Sequence, residues 1–204
     1  MDADFLILVS AVVAAFFGIS LYMMNRVMKG LGDFYLKQKQ EFMEKVKDPE
    51  TLMKHDDRGF TPLMVALEKK WTNLLPEVLQ RVLQLNNPLA VINHSNSMGL
   101  SAIILAIDLG EKDSLELLIA AGADVNKIHE PDETLPLAYA CNLLKVELVE
   151  VLLLRGARVE IKNREGLTVL EVFSARFKKQ ISKREGVEYK VYQMLDENKE
   201  GENE

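Results

Sequence analysis

A single cysteine, Cys141, stands in the whole chain. That excludes an intramolecular disulfide and any cysteine-rich zinc site. It follows Ala140 in a segment that reads as helix, which assigns it the part of a small buried hydrophobe. Histidine is nearly as scarce. His55, His94 and His129 fall in separate loops, none with a second histidine or a cysteine at metal-ligand spacing. They are expected as exposed turn residues along one edge, and no metal site is expected. No glycine loop of the phosphate-cradling kind occurs, nor a Gly-x-Ser-x-Gly turn. Carboxylates are plentiful, but nothing marks a pair for general acid–base work. An excess of positive charge is also missing: the net charge is −6, against the basic balance of a general nucleic-acid binder. The sequence therefore nominates no catalytic residue, no cofactor and no nucleic acid, and the chain reads as a non-enzyme.

What is present is repetition. Residues 110–126 read GEKDSLELLIAAGADVN. Leu115, Leu117, Leu118 and Ile119 give an apolar face at helical spacing, and Gly122 then stops the helix in the left-handed conformation that glycine tolerates. Residues 148–159 read LVEVLLLRGARV, with Gly156 placed 34 residues after Gly122. A fixed period of this size points to a solenoid. The preceding halves match too. Gly59-Phe60-Thr61-Pro62-Leu63, Gly99-Leu100-Ser101-Ala102-Ile103 and Gly166-Leu167-Thr168-Val169-Leu170 each open a helix, as does Pro136-Leu137. Thr61 is suited to cap a helix and Pro62 to its first position. Ala66, Ala106 and Ala140 recur at the same step and are small enough to let neighbouring helices approach. Each unit alone leaves an apolar face uncovered, so stacking is obligatory.

These phrases resemble the ankyrin repeat family, whose unit is a turn plus two antiparallel helices of about 33 residues. The resemblance covers roughly Asp56 to Leu195. Ala102 and Val169 stand in place of the family's proline, and Glu133 in place of its turn glycine. About six extra residues sit in the first unit, placed near Asn86-Asn87-Pro88. The resemblance implies an all-α solenoid of about four helix-turn-helix units, starting near Asp56, Asn96, Glu130 and Asn163. Phe173, bulky where earlier units have alanine, marks the last one. Lys178, Lys179, Lys183 and Arg184 are expected as a solvated basic loop. A final helix with Val187, Val191, Met194 and Leu195 closes the stack.

The chain divides on this reading into 1–25, a tail and membrane anchor; 26–55, a linker and capping helix; 56–195, the repeats; and 196–204, a disordered acidic tail. Phe5 to Met24 carries no charge and, as a helix, reaches about 30 Å, the thickness of a bilayer core. Asp2 and Asp4 before it, and Arg26, Lys29, Lys37 and Lys39 after it, predict a single span with the N-terminus outside and the repeats cytoplasmic. Ser10, Ala14 and Gly18 offer a small-residue stripe through which two such helices would form a homodimer. Gly30-Leu31-Gly32 reads as a hinge. Leu31, Tyr35, Gln38, Phe42 and Val46 then follow at helical steps, as a cap for the solenoid, a membrane-surface helix or a partner-binding helix, with the cap preferred.

Function follows from the resemblance. Partners of this family are met by the turns and by the exposed side of each first helix. Carried over by position, that implies protein-binding residues Asp57, Arg58 and Phe60 with Glu68 and Lys69 in the first unit. The second unit gives Ser97, Met98, Leu100, Asp108 and Leu109. The third gives Pro131, Asp132, Thr134, Asn142 and Leu143. The fourth gives Arg164, Glu165, Leu167 and Arg176. Phe60, Met98, Leu100, Leu109, Leu143 and Leu167 are apolar where a solvated face would be polar, which points to a contiguous contact stripe. The expected function is membrane-held protein–protein binding. The alternative is an inhibitor or immunity-type protein that occludes a toxin, a nuclease or a membrane enzyme.

Overall fold

The computed structural model describes residues 21–131 and 133–199, together with Val9, Ala11 and Val12 before them. A long helix, α1 (Leu21–Lys45), leads through the short α2 (Pro49–Met53) into the repeats. The first unit holds α3 (Pro62–Glu68), a 3-10 turn at Thr72–Leu74, and α4 (Leu75–Val82). A short extra helix, α5 (Pro88–Ile92), follows. The second unit is α6 (Ala102–Leu109) and α7 (Lys112–Ala120), and the third α8 (Pro136–Asn142) and α9 (Val146–Leu154). The last unit is α10 (Val169–Arg176), the brief α11 (Lys178–Ile181) and α12 (Gly186–Lys199). Among the described residues the extended backbone amounts to isolated bridges such as Ser95 with Ser101 and Lys162 with Thr168.

The helices stack in two rows. First helices α3, α6, α8 and α10 pack on one another in order, and α4, α7, α9 and α12 form the second row behind them. The first row closes tightly because Ala66, Ala106 and Ala140 are entirely buried at its contacts. Phe173, at the matching place in α10, is also buried, and its ring packs on Phe177 at 4.7 Å. With no further unit to admit, an aromatic ring fills the space. Val191 and Leu195 of α12 are fully buried and seal the end. At the other end Tyr35 and Phe42 of α1 set their rings against buried Trp71, and Val46 is 1% exposed.

Local chemistry starts each first helix. The Thr61 hydroxyl accepts the Met64 N–H and Ser101 the Ile104 N–H. Thr168 and Glu171 form a reciprocal capping box. Leu135, at the same position in the third unit, offers no side-chain cap, and Pro136 alone marks that start. Two asparagines then tie the first three units together. Asn93 donates to the Gly122 carbonyl at 3.1 Å and accepts the Asp124 N–H at 2.8 Å. Asn126 repeats both bonds with Gly156 and Arg158, each at 2.9 Å. These bonds occupy backbone groups left open by the helix stops.

Several expectations change. The extra residues of the first unit build a helix of their own, α5, capped by Asn87. Gly30-Leu31-Gly32 lies inside α1 and is no hinge, and α12 runs to Lys199, through the start of the stretch read as an acidic tail. The single-span membrane topology is corrected. No helix among the described residues is long and apolar enough to cross a membrane. Helix α1 has the length, but Arg26, Lys29, Asp33, Lys37 and Lys39 interrupt it. Phe5 to Met24, where the span was placed, lies outside the described residues except for Val9, Ala11, Val12 and 21–24. The homodimer through Ser10, Ala14 and Gly18 falls with the span; these residues too lie outside the described ones.

Gly99 and Gly166 share a left-handed φ of 76°, yet a Cβ on Gly99 would sit 2.4 Å from the Glu130 carbonyl oxygen, whereas one on Gly166 would meet nothing within 4 Å. Gly166→Ala should therefore cost about 1–2 kcal/mol, the conformational term alone. Gly99→Ala should cost distinctly more, read from urea midpoints of the two variants. Equal losses would mean that the third turn does not press on the second.

Candidate protein-interaction surface

The turns ahead of the first row are built alike. The Asp56 carboxylate accepts the N–H groups of Arg58 and Phe60, both at 2.9 Å. The Asn96 side-chain oxygen accepts those of Met98 and Leu100 at 3.1 and 2.9 Å, and that of Asn163 those of Glu165 and Leu167, both at 3.0 Å. One oxygen thus closes each loop and pushes its two tip residues outward. Asp57 and Arg58, Ser97 and Met98, and Arg164 and Glu165 are accordingly exposed. Asn96 also donates to the Arg58 carbonyl, which fixes the spacing between the first two tips at the backbone. Slight burial pushes the Asp56 carboxyl up, but the bonds from Phe60 and Arg58 outweigh it and hold it below its ordinary value.

The third turn departs from this plan. His129 and Thr134 exchange backbone hydrogen bonds at 3.0 Å, and Glu133 takes the left-handed conformation that glycine has elsewhere, with φ 49°. Pro131 is exposed and Thr134 half-buried, while Asp132 lies outside the described residues. His129 is 2% exposed, not a solvated turn residue, and among the described residues neither ring nitrogen has a hydrogen-bond partner. Burial, reinforced by the Lys127 charge and opposed by Asp124, lowers its pKa to about 4. The other two histidines do share an edge, with rings 4.8 Å apart.

Of the apolar stripe, part is core. Phe60 is 5% exposed, lying under the Arg58 guanidinium, 4.5 Å from its ring centre. Leu100 and Leu109 are half-buried and packed on the core. Met98, Leu143 and Leu167 remain open at 62%, 39% and 38%, one in each of three units. The charged positions are mostly engaged. Arg58 pairs with Asp56 and with half-buried Glu68, while Lys69 is exposed. Exposed Asp108 accepts the Tyr139 hydroxyl at 2.9 Å, and half-buried Asn142 accepts from exposed Arg176 at 2.9 Å. Arg164 bridges to Glu130 and Glu133 of the preceding turn at 3.0 and 2.5 Å. The first-helix positions Asp108, Asn142 and Arg176 form one polar track, each 34 residues from the next.

Sequence reasoning missed a cavity of about 170 Å³ between the third and fourth units. Ala138, Cys141, Asn142, Val172 and Phe173 line it, with Leu167 at the turn. Its signal was faint, since it comes from Phe173 meeting a row of small residues one unit away. The Cys141 thiol at its base is pushed up to about 12 by burial, so it stays protonated and unreactive at neutral pH. The expected basic loop is partly helical, as α11. Among the described residues no group of three or more His, Cys, Asp or Glu is placed to hold a metal ion.

The family described as "Ankyrin repeats (3 copies)" matches residues 35–129. The mouse B-cell lymphoma 3 protein homolog is 28% identical over 121 residues, covering 59% of this chain and 26% of the relative. An Arabidopsis thaliana ADP-ribosylation factor GTPase-activating protein, AGD4, is 34% identical over 96 residues, 47% of this chain and 12% of the relative. The chicken nuclear factor NF-kappa-B p105 subunit is 34% identical over 101 residues, 49% of this chain and 10% of the relative. The chain thus spans between 10% and 26% of the length of these relatives. With the two-row stack already in view, these matches support an ankyrin repeat fold, and such repeats indicate protein–protein interaction.

His129 supplies a pH test. Its pKa falls from 6.5 to about 4 on folding, so the stability it permits is complete above pH 6.5 and drains away as pH falls toward 4. His129→Phe should flatten the melting temperature over that window. At neutral pH it should also gain about 1–3 kcal/mol by removing two buried, unpartnered nitrogens. An unchanged pH profile would mean that His129 is solvated.

Proposed function

We propose that this protein binds a segment of a partner protein along the edge formed by its turn tips and the polar track of its first helices. One observation carries the reading. Met98, Leu143 and Leu167 stay open on that edge, in successive units, although comparable apolar residues nearby have been drawn into the core. Spaced anchors of this kind, set among charged and amide groups, suit an elongated partner better than a compact ligand. A role as a binding surface fits the chemistry on the edge: the buried thiol is held protonated, and the carboxylates of Asp56, Glu68 and Asp108 are tied to backbone, arginine and tyrosine groups.

The test is a comparison of proximity labelling by the full chain and by the variant Met98→Asp/Leu143→Asp/Leu167→Asp. All three side chains are exposed, so the melting temperature should shift little. The reading expects the proteins labelled by the parent to be lost from the variant. Retention of the same labelled set would place the binding surface elsewhere.

A further inference from the structure

We propose that the corner where α10 passes into α11, with the cavity beside it, docks an acidic protein segment carrying one aliphatic side chain. This deepens the reading above and rests on it. Residues 176–184 read RFKKQISKR: Arg176, Lys178, Lys179, Lys183 and Arg184 without one carboxylate, in a chain whose net charge is −6. Half-buried Phe177 and Ile181 pack against the core and pin the segment, leaving all five cations exposed. The two arginines of the turn tips are compensated, Arg58 by Asp56 and Glu68 and Arg164 by Glu130 and Glu133. Lys178, Lys179, Lys183 and Arg184 take part in no ion pair among the described residues. Like charges gathered without a counter-charge repel one another, and an anionic partner relieves that repulsion.

The cation run begins at the rim of the cavity. Asn142 lines the cavity and accepts a hydrogen bond from Arg176 at 2.9 Å. Its apolar wall of Ala138, Val172 and Phe173 and its volume of about 170 Å³ suit one aliphatic side chain. The described part of the chain's own acidic stretch, 196–199, does not fill the site. Helix α12 starts beside the cluster at Gly186 and runs to Lys199, carrying its far end about 20 Å away at 1.5 Å per residue. A long polyanion is disfavoured as well, because half-buried Glu133 lines the cavity and exposed Glu130 and Glu165 stand at the neighbouring turns. A short segment keeps its carboxylates on the cations and sends only its aliphatic side chain into the cavity.

The experiment titrates the full chain into a fluorescein-labelled short peptide of glutamate and aspartate with one central leucine, read by anisotropy. Lys178→Glu/Lys179→Glu should weaken binding about tenfold, and added salt should weaken it further. Replacing the peptide leucine by glycine should cost a similar factor. Lys178→Gln/Lys179→Gln, which removes charge without reversing it, should fall between parent and reversal, and circular dichroism should be unchanged in both. Absence of peptide binding, or equal binding by the charge-reversed variant, overturns the proposal. So does displacement of the peptide by oligothymidine or by vesicles of anionic lipid with no dependence on the leucine. If the three-residue edge variant loses its labelled partners while Lys178→Glu/Lys179→Glu keeps both partners and peptide, this inference falls and the edge reading stands. Peptide binding that survives failure of the edge test would leave a basic docking corner outside that edge.

Discussion

Close approach within the first row of helices is the constraint on which the rest depends. Ala66, Ala106 and Ala140 have no solvent contact, and larger side chains there would force the units apart. Once the row closes, the second helices must follow, because α4, α7, α9 and α12 each pack behind their own first helix or against the next unit. The asparagine bonds at Asn93 and Asn126 then fix the spacing at the backbone level. Packing supplies the driving force, and these polar bonds set the register between units.

That register decides what the surface offers. Three of the four turns are closed by a single side-chain oxygen, so their tip residues have nowhere to go but outward. The same geometry repeated along the stack lines up residues from separate units into one edge. The third turn, built by mutual bonding of His129 and Thr134, is the irregular member. It sets Glu133 beside Arg164 of the next turn and so links two tips through charge rather than through backbone.

Much of this was legible from the residues. Thr61-Pro62, Ser101 and Thr168 are local capping signals, and their roles depend only on the adjacent helix. Phe173 announced the end of the stack because its bulk breaks a row of alanines. Other features were hidden for physical reasons. Gly30 and Gly32 cost a helix some stability but do not end it, so a break could not be placed there from composition. Phe60 stands where an exposed turn residue was expected, but the Arg58 guanidinium covers its ring, a contact that no spacing rule contains. The burial of His129 depends on packing of the third turn against Gly99, which is distant in sequence. The candidate edge was legible by position but only in part by exposure, since burial is a property of the assembled stack.

Binding on the turn-tip edge, and not on the second row, is what the repeated turn geometry argues for. It is tested most directly with a photoreactive benzophenone side chain placed in the full chain at Met98 on the edge, or at Leu154 on the second row. Both positions are well exposed, at 62% and 78%. Covalent protein adducts are expected from position 98 and none above background from position 154. Adducts from position 154 with none from position 98 would contradict it.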